Sequence, residues 1–325
     1  MRRRKFIASL ATIAAAMPLL AWAQQPSRVY RIGLLRVGQP PPSFIDPFRQ
    51  GLSDLGYVEG QNLTIEYGLA ETAERLPQAA AALAARKLDL IFASGAAAVL
   101  PARDAANAIP VVFVAGIDPI ETGFSTRGLA QPGANVTGLT TIQIDLTAKR
   151  MQLLKEMLPR VERVAFLSRE GNPGNTQYVR EAERAAESLG LILHSIPART
   201  ARDFEGAFRS ALAVGAGALV PMDDSVFTSG RRQLVELAER YRLPGMYPIR
   251  EFVVDGGLVS LGPRYQDIYR RAATFVDKVL KGTSPADMPV EQPTTFEVVV
   301  NLNAANALGI AVPPAILARA DEVIE

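Results

Sequence analysis

YRIGLLRVGQPPPS (30–43) and VERVAFLSREGNPGN (161–175) begin alike, each a short apolar run followed by a loop rich in glycine and proline. After the first, Phe44, Phe48, Leu52 and Leu55 recur at helical spacing, and Leu55-Gly56 closes the helix, because glycine takes the left-handed C-terminal position at little cost. After the second, Val179, Ala182, Ala186 and Leu189 share one helix face, and Leu189-Gly190 closes it in the same way. The parallel continues. NLTIEY (62–67) answers LILHSI (191–196), LDLIFASG (88–95) answers AGALVPMDDS (216–225), and Ile109-Pro110 with VVFVAG (111–116) answers Leu243-Pro244 with GMYPIREF (245–252). Strand and helix alternate through both copies, which predicts two doubly wound α/β lobes with parallel sheets covered on both faces.

Outward from this repeat, the N-terminus reads as an address label. Arg2, Arg3, Arg4 and Lys5 precede an apolar run from Ile7 to Leu20 and then Ala21-Trp22-Ala23, the order of a secretory signal peptide cleaved after Ala23. Arg3-Arg4-Lys5-Phe6-Ile7 also resembles a twin-arginine signal. The apolar run is shorter than the ~20 residues that a membrane-spanning helix needs. Cleavage removes four of the 35 basic residues and none of the 33 acidic ones, so 31 face 33 and the net charge changes from +2 to −2. The basic stripe expected of a nucleic-acid binder is therefore missing. With no cysteine, disulfides, thiolate metal sites and a lipidated N-terminal cysteine are all excluded. A soluble periplasmic protein is the simplest expectation, and its length points to two lobes.

In open parallel sheets, ligands bind beyond the carboxyl ends of the strands, which directs attention to the loops at 36–44, 94–98, 115–121, 168–176, 221–227 and 247–251. Asp223 and Asp224 follow the apolar run 218–221. Adjacent residues leaving a strand point in different directions, so they seldom converge on one reacting atom as paired catalytic carboxylates must. Neither Met222 nor Ser225 completes a set of hard metal ligands. Two readings stay open: capping of the helix that starts near Ser225, and recognition of a ligand cation. Ser94, Gly95 and Ala96 lie where a helix opens after a strand, and suit either an N-cap or a carboxylate held by backbone N–H groups. Asn172 and Asn175 occupy the matching loop of the second copy, as donors or as plain loop-formers. Tyr247 is the preferred aromatic wall, ahead of Phe44, Tyr178 and Phe227. Arg250 faces the cleft or pairs with Glu251 or Asp255, and Asp118 is a further possible contact within ordinary Asp-Pro turn chemistry.

Other motifs lack their context. The glycines of GAGALV (215–220) precede a strand, whereas a dinucleotide loop needs them after one, and GQPPPS (38–43) has no lysine for a phosphate cradle. His194, the only histidine, sits in a strand with no evident nucleophile or metal partner and reads as structural.

Several collinear segments carry a resemblance: FRQGLSDLGYVEGQNLTIEY (48–67), IPVVFVAGIDPIETG (109–123), QPGANVTGLT (131–140), RLPGMYPIREFVVDGGLVSLGP (242–263), RRAATFVDKVLKGTSPADMPVEQPT (270–294) and PPAILARADEVIE (313–325). Through them the chain resembles the tryptophan/tyrosine-type substrate-binding proteins of bacterial ABC importers, with the type I periplasmic binding protein fold. The resemblance implies two lobes joined by a three-strand hinge, with crossovers near 139–143, 262–264 and 289–293. One lobe would take residues 28–140 and 263–290, the other 141–262 and 291–325. It further implies hinge closure on a small molecule, an amino acid or related carboxylate or aromatic, and delivery to an inner-membrane permease with its ATPase. No cofactor and no covalent chemistry are implied, and Asp223 corresponds to the first polar position after its strand. The rival expectations are a ligand-sensing protein serving a membrane receptor, and a hydrolase using Asp223 and Asp224.

Overall fold

The computed structural model describes residues 28–105, 108–116, 128–130, 132 and 135–325. Residues 1–23, where a signal peptide is expected, and Asp118 lie outside the described residues. The first copy of the repeat runs β1 (Tyr30–Val37), α1 (Pro42–Asp54), β2 (Leu63–Ala70), α2 (Leu76–Ala84), β3 (Leu90–Ser94), α3 (Ala96–Ala105), β4 (Val111–Ala115) and β5 (Val136–Thr140). These strands form one parallel sheet in the order β2-β1-β3-β4-β5. Every residue of β3, β4 and β5 is buried, as expected where helices cover both faces of a parallel sheet.

The second copy begins with α4 (Leu146–Met157) and continues through β6 (Arg163–Ser168), α5 (Asn175–Ser188), β7 (Ile192–Pro197), α6 (Phe204–Ala213), β8 (Ala218–Pro221), α7 (Ser225–Ser229), α8 (Arg231–Arg240), β9 (Met246–Tyr247), α9 (Arg250–Val254) and β10 (Val259–Pro263). Then come α10 (Tyr265–Leu280), β11 (Phe296–Asn301), α11 (Leu302–Leu308), α12 (Pro314–Leu317) and β12 (Glu322–Ile324). The order β7-β6-β8 repeats β2-β1-β3, so the likeness read in the sequence is also one of topology. A bridge between Leu219 and Gly245 joins this sheet to β12-β11-β10-β9.

Two details depart from the expected pattern. GMYPIREF forms a strand only at Met246–Tyr247, because Pro248 has no N–H to give the ladder, and the chain turns into α9 at Arg250. β11 pairs antiparallel with β10. The chain leaves β10 at its carboxyl end, forms α10 against the first sheet's helices, and returns at that same end, so it must run back in the opposite direction.

That excursion completes the first lobe. Ile268, Tyr269, Ala272, Phe275 and Val276 form the buried face of α10, which packs on Phe44, Phe48 and Leu52 of α1. The two helices approach so closely at Gly51 that a Cβ there would stand 2.8 Å from the Ala273 Cβ and 2.9 Å from the Arg270 carbonyl oxygen. At the passages between the sheets, Arg150 of α4 binds two of them together. Its Nε donates to the Leu261 carbonyl at 2.8 Å, and its Nη1 to the Gln143 carbonyl at 3.1 Å. Glu291 N–H donates to the Gly138 carbonyl at 3.0 Å and Thr140 N–H to the Glu291 carbonyl at 2.9 Å, tying in the third passage. No helix among the described residues is long and apolar enough to cross a membrane.

Candidate ligand-binding site

The carboxyl ends of β1, β3, β4 and β8 face one another across a gap of ≈ 20 Å³, about the room one water needs. Arg36 from β1, Ala96 at the start of α3 and Gly116 after β4 form one wall; Asp223 and Ser225 form the other, with Tyr265 and Tyr269 of α10 beside them.

Arg36 is 3 % exposed. Its Nη1 donates to Ser94 Oγ at 2.9 Å, and Ser94 Oγ in turn shares a short hydrogen bond with the Tyr269 hydroxyl. The Arg36 Nε has no partner among the described residues, nor does any carboxylate there come within ion-pair distance of the guanidinium. Gly95 adopts φ +98°, a conformation that favours glycine, and its N–H is taken by the Val114 carbonyl at 2.8 Å. The Ala96 N–H, at the first position of α3, is one of that helix's orphan donors.

Opposite, the Tyr265 hydroxyl donates to Asp223 Oδ2 at 2.7 Å. Burial pushes the Asp223 carboxyl up from its ordinary 3.8 to about 6, with the neighbouring Asp224 charge adding to it while Tyr265, Arg150 and Arg36 oppose. Asp224 points the other way, as expected for adjacent residues leaving a strand. Its Oδ1 accepts from the Val226 N–H at 2.7 Å, capping α7; its Oδ2 accepts from Arg169 Nε at 2.7 Å and Asn172 Nδ2 at 2.8 Å. Both members of the Arg169–Asp224 ion pair have side chains 2 % exposed. Asp224 therefore caps a helix and neutralises a buried arginine, leaving Asp223 as the carboxylate of the two lining the gap that has no ion-pair partner among the described residues.

The remaining sequence-selected residues fall elsewhere. Asn172 and Asn175 organise their own loop: Asn172 Oδ1 accepts from Gly174 N–H at 2.8 Å, and Asn175 Oδ1 from Arg169 N–H at 3.1 Å. Tyr247 is fully buried, stacked on Phe252 at 4.8 Å and wedged against Gly245 and Gly257 beneath a separate depression lined by α8 and α11. It occupies a gap that only glycines leave open and does not reach the inter-lobe wall. Arg250 is drawn away by acidic partners on neighbouring strands, Glu322 at 2.6 Å and Glu297 at 3.7 Å, rather than by Glu251, Asp255 or the cleft. Phe227 packs on Phe204. His194 lies on β7, and its Nε2 has no partner among the described residues.

Phe44 does line the gap, its ring stacked at 4.6 Å on Tyr265 and 4.9 Å on Tyr269. Sequence reasoning missed Arg36, Tyr265 and Tyr269. An arginine near the carboxyl end of an otherwise buried run, YRIGLLRV, is the signal that could have found the first. The tyrosines sit in the opening turns of a helix read only as a family marker.

The two lobes touch around this gap. The Tyr178 hydroxyl donates to the Gly116 carbonyl at 3.1 Å, Ser43 Oγ to Glu251 Oε1 at 2.8 Å, and Ser229 Oγ to the Gln39 carbonyl at 3.2 Å. The arrangement is closed.

Comparison with known proteins agrees with this architecture. A conserved domain protein from Vibrio cholerae superposes with a TM-score of 0.83 at 25% identity, over 91% of this chain and 100% of the other. An ABC domain from Streptococcus pneumonia, in complex with L-Trp, gives 0.82 at 24% identity over the same shares. A ligand-free, open substrate binding protein with adhesive properties from Clostridium difficile gives 0.61 at 23% identity, over 91% of this chain and 99% of that one. A tyrosine-binding protein of Clostridioides difficile is 25% identical over 263 residues, 80% of this chain and 75% of the relative. The family model described as ABC transporter substrate binding protein matches residues 43–324, and the chain belongs to that family.

Proposed function

We propose that this protein is the periplasmic receptor of an ABC importer, exported by its N-terminal signal, that captures an amino acid or a related carboxylate and delivers it to an inner-membrane permease with its ATPase. The observation that carries the reading is the gap between the lobes, with a guanidinium that has no carboxylate within ion-pair distance among the described residues on one wall and a carboxylate on the other. A tyrosine-binding relative and an L-Trp complex of the same fold support an amino-acid ligand. Superposition is better on that complex than on the ligand-free open protein at almost the same identity, which supports a closed arrangement here. The lobes that move would be residues 28–140 with 263–290, and 141–262 with 291–325. Hinge motion needs only a few element-terminal residues to absorb the backbone change, and the passages fastened by Arg150 and Glu291 suit that role.

The test is a thermal-shift screen of the mature protein against amino acids, small carboxylates, sugars and nucleosides. A ligand at a hundred times its Kd stabilises by about 2.7 kcal/mol. Each hit is recovered and weighed by mass spectrometry. A hit returned unchanged supports capture, conversion to product would install an enzyme in its place, and no hit in any class would sink the receptor reading.

A further inference from the structure

The second lobe holds a cavity far from the inter-lobe gap. β8, β9 and β10 run parallel, and the residues that follow β8 and β10 line the gap. Leu243, Gly245 and Leu258 precede β9 and β10, so the cavity they line lies at the opposite ends of the strands. Its volume is ≈ 210 Å³, against ≈ 20 Å³ for the gap.

The walls are apolar: Val235 and Ala238 from α8, Leu243, Leu258, and Ala304 and Leu308 from α11. α11 places alanine at 304 and 307, where a longer side chain would fill the space. Tyr247 closes the base and cannot swing in to fill it, because its ring is stacked on Phe252 at 4.8 Å and wedged against Gly245 and Gly257. The cavity is therefore preformed. An enclosed apolar cavity of about 150 Å³ stays dry and takes up benzene, so this larger one, open at one side, accommodates a ring with a short tail.

The open side sets the charge of the guest. Glu239 and Asn303 line it and are exposed. The Glu239 carboxylate takes part in no hydrogen bond or ion pair among the described residues, and the adjacent Arg240 is paired with Glu205. No cationic side chain among the described residues lines the cavity. A guest carboxylate would meet Glu239 with nothing to neutralise it, whereas an amine would find a partner there. A rigid ring also gives up little torsional freedom on entering.

We propose that this cavity is a second small-molecule site that takes an arylalkylamine, with the ring between α8 and α11 and the ammonium at Glu239. It stands independently of the receptor reading, which concerns the gap.

Methyl NMR of the mature protein, titrated with phenethylamine and 3-phenylpropionate, tests it; the two share a ring and a two-carbon chain and differ in charge. Phenethylamine should shift the methyl signals of Val235, Leu243, Leu258 and Leu308 with a Kd on the order of 0.1–1 mM. Phenylpropionate should bind about fivefold more weakly, the most that a solvent-exposed charge pair gives. Ala307→Leu keeps a good helix former at an exposed position and should weaken both probes by about tenfold or more, with an unchanged circular dichroism spectrum. Glu239→Gln should bring the two probes within about twofold of each other and leave the same methyls shifted. Shifts confined to methyls elsewhere, no shift at the solubility limit of either probe, unaltered binding by Ala307→Leu, or a carboxylate bound as tightly as the amine would each overturn the proposal and leave the receptor reading untouched.

Discussion

Tyr265, at the start of a helix packed on the first lobe, donates its hydroxyl at 2.7 Å to Asp223, which follows a strand of the second. One hydrogen bond thus both bridges the lobes and tempers a carboxylate that burial would otherwise leave still harder to ionise.

Tyr265→Phe removes a donor that lowers the Asp223 pKa, so the carboxyl should titrate above its present value of about 6. Hydrogen bonds to charged groups contribute about 1.5–3 kcal/mol, so affinity for an amine-bearing ligand near neutral pH should fall by about ten- to hundredfold. Carboxyl-detected NMR across a pH series, together with calorimetry, would read both changes. An unmoved titration would separate Tyr265 from Asp223.

Asp223 also fixes the sign of one pH effect. Its folded pKa of about 6 exceeds the ordinary 3.8, so its contribution to stability is complete below the lower value and is lost as pH rises through the upper. Ion-paired carboxyls such as Glu66, which Arg86 and Arg31 hold below the usual range, act in the opposite sense. Subtraction isolates Asp223: the melting temperature of Asp223→Asn relative to the natural protein should climb between about pH 4 and pH 6 and level off above. An ammonium ligand requires the ionised form, so its affinity should increase over the same interval with proton release on binding. Calorimetry in two buffers of different ionisation enthalpy checks this.

Asp224→Ala should destabilise by about 3–5 kcal/mol, because it strands the buried Arg169 guanidinium as well as uncapping α7. Asp224→Asn keeps an acceptor for the Val226 N–H but not the charge, and should fall between the two. Chemical denaturation gives the ranking. If Arg169→Met restored none of the loss in the Asp224→Asn background, the ion pair would not be its source.

Arg36→Met should separate binding from stability. A buried cation with one hydrogen bond carries a desolvation cost that an apolar side chain of similar length avoids, so the unliganded protein should melt at the same or a higher temperature. Carboxylate binding should drop by about tenfold or more. A protein that lost stability while retaining its ligand would place Arg36 in the scaffold.

Ser43→Ala deletes the hydrogen bond that Glu251 accepts across the lobes and leaves a buried carboxyl whose pKa is already raised by burial. The open form should gain population, seen as a larger radius of gyration by small-angle scattering, with an affinity loss of about tenfold. Saturating ligand should restore the compact radius.

Most of the fold was legible because the sequence states its unit twice. Leu55-Gly56 and Leu189-Gly190 mark equivalent helix ends, with φ of +91° at Gly56 and +65° at Gly190. The short strand at Met246–Tyr247 was over-extended because Ile249 and Phe252 look apolar in either secondary structure, and only Pro248 argues for the break. At the site, legibility followed chain direction rather than residue type. The loop after β8 could be named and its adjacent side chains expected to diverge, but only the resemblance favoured Asp223, and which of Asp223 and Asp224 faces the gap could not be read from the sequence. Tyr247 could not be assigned, since following a strand does not say which end of the lobe a ring occupies. Arg36 and Tyr265 were invisible for a different reason: they meet Ser94 and Asp223 across 58 and 42 residues, and no local pattern reports such pairs.

The embrace of α1 by α10 has a consequence for biogenesis. A ribosome that has finished 30–140 has made all five strands of the first sheet but not the helix that seals its outer layer, including the closely packed Gly51–Ala273 contact. Until residue 280 emerges, an oily flank on Phe44, Phe48 and Leu52 stays uncovered. The nascent protein should therefore remain a client for holding chaperones well past its midpoint, and a fragment ending near 140 should aggregate where the whole chain does not.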